Sequence, residues 1–165
     1  MAAARQRQLN RWDRALERAA ASRPGGWFFI HVANRIDRVL LRLTRGRVSV
    51  AVGQPVLLLT ARGAKSGQPR NTPLLYTTDG DDIVLVASNA GSSRHPAWYH
   101  NVCANPRVEV RAPRRSGTYI AREASGAERE RLWARANDLY AGYDVYQDRA
   151  RARRIPVIAL TPASD

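Results

Sequence analysis

The sequence predicts a mainly β fold of the α+β class over residues 51–165: a six-stranded antiparallel barrel, closed or split, with inserted helices. A basic, amphipathic helical extension, residues 1–50, precedes it. Three observations carry that expectation. Short apolar runs bounded by Gly, Pro, Asn and Asp recur from residue 50 onward, which is how strands are punctuated. Most of the runs are joined by hairpin-length connections, which cannot link parallel strands. Two helical segments with their own start signals interrupt the series. A chain of 165 residues, 44% of them hydrophobic, has room for one real core.

The extension is read from periodicity. Leu9, Trp12, Leu16 and Ala19 recur at helical spacing in residues 5–21, and Arg23-Pro24-Gly25-Gly26 ends that helix. A second helix is predicted over residues 27–43. Val32, Ile36, Val39, Leu40 and Leu43 form one face, with Arg35, Arg38, Arg42 and Arg45 mostly opposite. Trp27, Phe28 and Phe29 stand at its start. Such a helix suits a membrane interface, met through residues 27–45, or a place on the protein's own core with its arginines in solvent.

The strands follow in order. "PVLLLT" (55–60) is short and apolar, and "RNTPLLYTTD" (70–79) carries Pro73, which requires an edge or bulge position. "DGDD" (79–82) is a turn, and "IVLVAS" (83–88) reads as a buried strand. "RVEVRA" (107–112) alternates and reads as half-buried. "PRRSG" (113–117) turns the chain, and "TYIAREA" (118–124) returns antiparallel. "IPVIALTP" (155–162) is the last strand. Of the inserted helices, "HPAWYHNVCAN" (95–105) has Pro96 in a first-turn position. In the other, Ser125 and Glu128 form a capping-box pattern, and Leu132, Ala136, Leu139 and Tyr140 share one face.

Charge and composition narrow the chemistry. The net charge is +13, and residues 1–50 hold eleven arginines against Asp13, Glu17 and Asp37. Such a field attracts nucleic acid, anionic lipid or anionic small molecules. A nucleic-acid-binding module is therefore an alternative, disfavoured because Trp and Tyr are not interleaved with Arg as stacking platforms require. Cys103 is the only cysteine, which excludes an internal disulfide and fits a reducing, cytoplasmic compartment. It lies on an apolar helix stripe and is read as packing rather than nucleophile. No signal peptide is visible, and the apolar runs are too short to span a bilayer. His95 and His100 are five apart, not a helical i, i+4 pair, and no acidic pair has metal spacing, so no metal is expected. Neither a P-loop nor a G-x-G-x-x-G motif is present.

Three constellations remain. In "TARGAKSGQPRNTPLLY" (60–76), Gly63 and Gly67 permit close backbone approach, and the lone lysine, Lys65, stands near Arg70, so the loop reads as an anion cradle. In "ASNAGSSRHPAWYHN" (87–101), a strand end runs through small residues into a helix N-terminus. Trp98 there is either a flat ligand surface or core. In "LYAGYDVYQ" (139–147), Tyr140, Tyr143 and Tyr146 are either three half-exposed helix tyrosines or apolar walls with hydroxyl donors for a flat, oxygen-bearing substrate.

In order, "GAKSGQPRNTPL", "DGDDIVLVAS", "HPAWYHNVCANPRVEV", "GAERERLW", "YAGYDVYQ" and "RRIPVIALTP" resemble the deazaflavin-dependent nitroreductase family. These are coenzyme F420-dependent oxidoreductases on an FMN-binding-like split β-barrel. The resemblance covers roughly residues 55–162. It implies reduced coenzyme F420 as hydride donor, with FMN or haem in the same barrel, or a non-catalytic cofactor carrier, as alternatives. It implies Lys65, Ser66, Gln68 and Arg70 as contacts to the cofactor's phosphate and glutamate tail. Pro73, Ala87, Ser88, Asn89, Gly91, Trp98 and Asn101 would surround the ring and ribityl chain. Tyr140, Tyr143 and Tyr146 would line the substrate side. There Ser88 and Tyr140 or Tyr143 would hydrogen-bond the acceptor oxygen that gains charge, and a tyrosine or water would deliver the proton. The implied acceptor is a quinone, a nitroaromatic or another activated unsaturated compound, and the implied assembly a monomer or homodimer. Some members have membrane-associated N-terminal helices. Two positions depart from the family pattern. Leu75 stands where nitroimidazole-active members often carry Tyr, with Tyr76 expected on the opposite strand face, and Asn89 stands where a basic residue is common. Both weigh against nitroimidazole reduction and leave deazaflavin binding untouched.

Overall fold

The computed structural model describes residues 54–151 and 153–164. The expected helical extension, residues 1–50, and its membrane-facing segment, residues 27–45, lie outside the described residues.

Seven strands form one antiparallel sheet: β1 (Val56–Arg62), β2 (Pro69–Leu75), β3 (Thr77–Asp79), β4 (Asp82–Val86), β5 (Arg107–Arg111), β6 (Gly117–Glu123) and β7 (Val157–Pro162). Their order across the sheet is β2-β1-β5-β6-β7-β4-β3. Three helices join them: α1 (Ala97–Ala104) between β4 and β5, then α2 (Gly126–Leu139) and α3 (Gly142–Ala150) between β6 and β7. The edge strands β2 and β3 are consecutive in the chain and parted by Tyr76 alone, so the sheet curls until its edges meet, as a split barrel does.

The sequence count of six strands becomes seven for a physical reason. Residues 69–79 pair first with β1, ending at Leu75 opposite Val56, and then with β4, beginning at Thr77 opposite Val84. One segment serves two partners and breaks where it passes between them. Pro73 is tolerated because β2 is an edge strand.

The core follows the strand period. Leu57, Leu59 and Ala61 of β1, Ile83 and Leu85 of β4, Val108 and Val110 of β5, and Ile158 and Leu160 of β7 fill the barrel interior with Trp98 and Val102 of α1. Each fully buried Leu or Ile contributes roughly 1.5–3 kcal/mol. The alternate residues of β4 and β7, Val84, Val157 and Ala159, pack under Leu132 of α2. Strands covered on both faces read as continuous apolar runs, which is why "IVLVA" and "PVIAL" show no alternation.

Two local expectations are corrected. Ser125 is the N-cap of α2 but its side chain makes no cap bond. Glu128 is instead held by Arg122, whose Nη1 and Nη2 each donate at 2.7 Å. A bidentate, charge-assisted pair outcompetes a bond to one backbone amide. Cys103 is exposed rather than packed. The buried face of α1 is set by Trp98 and Val102, one turn apart, and the next residue points about 100° away.

Candidate functional site

The β1–β2 connection closes on itself. Gly63 N donates to Gln68 O at 2.9 Å and Gly67 N to Gly63 O at 2.8 Å. Arg62 Nε donates to Gly67 O at 3.2 Å, and Gln68 N to Ser66 Oγ at 3.3 Å. Gly67 sits at φ +66°, and a Cβ on Gly63 would stand 2.6 Å from Ser66 Oγ. Lys65, Ser66, Gln68 and Arg70 are all exposed on this frame. Arg70 Nη2 lies 3.4 Å from Ser66 Oγ and donates to it. Two cations, a hydroxyl and an amide on a fixed backbone suit an elongated polyanion, so the donor set fits a phosphate-and-carboxylate tail.

Asn101 of α1 anchors that loop. Its Oδ1 accepts from Ala64 N at 3.0 Å, and Asn105 Nδ2, at the end of the same helix, donates to Arg62 O at 3.4 Å. Trp98, one turn before Asn101, is buried in the barrel interior beside Ala61 and Ala87. Its core role is the one observed. Pro73 pairs with Leu58, which packs with Val56 and Leu75 on the face away from the interior. Leu74 and Tyr76 pack on the interior side, so Leu75 and Tyr76 do point to opposite faces.

The second grouping lies where β4 ends. Ser88, Asn89 and Ala90 are half-buried, and Gly91 is buried. Asn89 (φ 47°), Ala90 (φ 51°) and Gly91 (φ 75°) are all left-handed, an uncommon backbone for the first two. A Cβ on Gly91 would lie 2.7 Å from Tyr146 O and 2.8 Å from Arg149 Cβ, so this loop packs directly on α3. Tyr140, Tyr143 and Tyr146 are buried together with Val86, Ala136 and Ile155, against Ala90. Their rings meet edge-on or tilted, with centroids 5.2 Å (Tyr140–Tyr143), 5.9 Å (Tyr140–Tyr146) and 6.5 Å (Tyr143–Tyr146) apart. The Tyr140 and Tyr146 hydroxyls are 3.1 Å apart and hydrogen-bonded. Burial, with Tyr146 adding to it, pushes the Tyr143 phenol well above its ordinary range, so it stays protonated and able to donate. The break between α2 and α3 makes this possible: Gly142 faces the Tyr140 ring so closely that a Cβ would lie 2.3 Å from Cζ.

The expected residues thus form two groups. Lys65, Ser66, Gln68 and Arg70 join Asn101, while Ser88, Asn89 and Gly91 join the tyrosines. Helix α1 and the interior packing of Trp98 and Ala87 connect the groups. Sequence reasoning missed two arginines. Arg149 Nη1 donates to Ala90 O at 3.1 Å with its guanidinium over the Tyr146 ring, and Arg153 Nη2 donates to Ser88 O at 2.7 Å. Among so many arginines no spacing singles these two out. Among the described residues no group of three or more His, Cys, Asp and Glu is placed to hold a metal ion.

A family model described as F420H(2)-dependent quinone reductase matches residues 33–162. An F420H(2)-dependent quinone reductase of Mycobacterium tuberculosis (strain ATCC 25618 / H37Rv) is 41% identical over 143 residues, 82% of this chain and 95% of the relative. A solved F420-H2 dependent reductase superposes with TM-score 0.58 at 39% identity, covering 64% of this chain and 93% of that one. A second solved structure, described as a domain-swapped dimer, superposes with TM-score 0.63 at 36% identity, covering 83% and 98%.

Proposed function

Because the chain belongs to the F420H(2)-dependent quinone reductase family, we propose that it reduces a quinone with coenzyme F420, using the two groups of residues just described. The observation that carries the assignment of the groups is the self-closed Gly63–Gln68 loop with its outward Lys65 and Arg70. Lys65, Ser66, Gln68 and Arg70 hold the cofactor's anionic tail, the cations by charge-assisted hydrogen bonds. Pro73, Ala87, Ser88, Asn89, Gly91, Trp98 and Asn101 shape the ring side, Trp98 and Asn101 by fixing α1 and the loop it carries.

When bound, reduced coenzyme F420 supplies a hydride to the acceptor. Ser88 and the hydroxyl of Tyr140 or Tyr143 donate to the acceptor oxygen as it gains negative charge. A phenol raised by burial is a poor acid, so Tyr143 orients the oxygen and solvent supplies the proton. Leu75 on the outer face and the absence of a basic side chain at Asn89 favour quinones over nitroimidazoles. Nitroaromatics of other shapes remain in the acceptor class.

The solved domain-swapped relative supports a homodimer. No helix among the described residues is long and apolar enough to cross a membrane. The arginine content of residues 27–45 supports peripheral contact with an anionic membrane from the cytoplasmic side. Residues 1–50 act as that extension and residues 51–165 as the cofactor-binding barrel.

The test is a titration of purified protein with coenzyme F420, followed by fluorescence, then turnover of menadione with the reduced cofactor. Saturable binding with turnover supports the reading. Binding without turnover leaves a cofactor carrier, and no binding rejects both.

A further inference from the structure

The loop after β4 is strained, and one side chain holds most of it. Arg153 donates from Nη2 to Ser88 O at 2.7 Å, from Nε to Ser92 O at 2.9 Å and from Nη1 to Ala87 O at 3.2 Å. Its Nη1 also lies 3.2 Å from His95 Nδ1. A planar guanidinium with five fixed N–H donors can span three carbonyls of one turn, which a lysine ammonium cannot match. Left-handed Asn89 and Ala90 persist only where their surroundings over-determine them. Arg149 on Ala90 O and Asn89 Nδ2 on Arg94 O, at 2.9 Å, add to these ties.

The fourth contact of Arg153 has a protonation requirement. A guanidinium only donates, so His95 Nδ1 must accept, which makes His95 the neutral Nε2–H tautomer. An imidazolium would turn Nδ1 into a donor facing a donor and bring two cations together. Several groups face His95. Tyr99 stacks on it with centroids 4.6 Å apart, and His100 meets it edge-on at 5.9 Å. Glu123, which accepts from the Tyr99 hydroxyl at 2.8 Å, is the nearby anion among the described residues. Burial first, then Arg153 and His100, lower the His95 pKa, with Glu123 opposing them. His95 is therefore neutral at neutral pH and becomes charged only in acid.

We propose that Arg153 is a positioning residue for the loop Ala87–Ser92, and that it holds the loop only while His95 is neutral, so that acidification releases it. The link to catalysis rests on the proposed function, in which this loop borders the cofactor ring.

Two readouts on the full-length protein separate the claims: hydrogen-exchange protection of residues 87–95 without cofactor, and kcat/KM for menadione with reduced F420. Both are followed from about pH 4.5 to 8, reaching below the ordinary histidine range because the His95 pKa is lowered. In the wild type, protection and kcat/KM fall together toward acid. In His95→Asn, whose Oδ1 accepts the same bond and does not titrate, both profiles are flat. In Arg153→Met, protection is low at every pH and kcat/KM drops roughly tenfold or more, as expected for losing charge-assisted bonds. Arg153→Lys, which keeps the charge and loses the fork, falls between them and serves if Arg153→Met does not fold. An acid fall in protection that survives in His95→Asn, or wild-type protection in both Arg153 variants, overturns the proposal. Absence of F420 binding in the wild type rejects the assigned function instead, and the exchange data still decide the clamp.

Discussion

The backbone amide of Ala64 donates to the side chain of Asn101 at 3.0 Å, across 37 positions of sequence. This bond ties the cation-bearing loop to the helix whose Trp98 and Val102 plug the barrel. It makes the loop's position a property of the core rather than of the hairpin alone.

Asn101→Leu removes the acceptor. Ala64 is exposed, so its amide returns to water and global stability changes by less than about 1 kcal/mol. F420 affinity falls about tenfold, because the loop must be ordered on binding. Asn101→Asp keeps the acceptor but adds an anion beside the cradle, so its loss of affinity shrinks as the cofactor's repulsion is screened by salt. Fluorescence titration at two ionic strengths separates the two variants.

Lys65→Ala and Arg70→Ala each weaken F420 binding by roughly ten- to a hundredfold, the range of one charge-assisted hydrogen bond. Both flatten the salt dependence of the dissociation constant. Thermal stability is unchanged, since both side chains are exposed. A variant that binds as the wild type does removes that residue from the cradle.

Gly142→Ala drives a Cβ into the Tyr140 ring, 2.3 Å from Cζ and 2.5 Å from the hydroxyl. The ring is pinned by Tyr146 and Tyr143, so the overlap costs about 1–3 kcal/mol and moves the phenol. The matched control is Gly126→Ala. Its φ is +53° with no atom within 4 Å of a new Cβ, so it carries backbone strain alone, about 1–2 kcal/mol. Denaturant unfolding should show both losses, but only Gly142→Ala should also lower quinone turnover.

Tyr140→Phe and Tyr146→Phe form a double-mutant cycle. Their hydroxyls share one buried hydrogen bond, so a coupling of about 1 kcal/mol is expected in unfolding free energy. If Tyr140 also serves the acceptor oxygen, Tyr140→Phe lowers kcat more than Tyr146→Phe does.

The Arg122–Glu128 pair gives an acid-side prediction. The hydrogen bond from Arg122 holds the Glu128 carboxyl below its ordinary pKa. A carboxyl depressed on folding contributes stability above its unfolded pKa and loses it as pH falls through the folded value. Wild type minus Glu128→Gln is therefore a small positive stability difference at neutral pH that closes below about pH 4. Thermal melts across pH 3–7 check it.

What the sequence determined by itself was local. Turn residues and apolar periods placed the strand segments and helices α1 and α2, but not the separate helix α3. Pro73 marked an edge, and Gly63, Gly67, Lys65 and Arg70 marked the proposed cradle. Each signal acts within a few residues, where backbone sterics and side-chain period decide the outcome. Tertiary structure decided the remainder. Only pairing with two different partners splits residues 69–79 into β2 and β3. Only the packing of α1 sends Trp98 inward and Cys103 outward. Only contact between α3 and the loop after β4 buries the tyrosines and brings Arg153 onto Ser88, 65 positions away. One arginine among many has no local mark, because its role is defined by the carbonyls it reaches, and these come to it only when β4 and β7 pair.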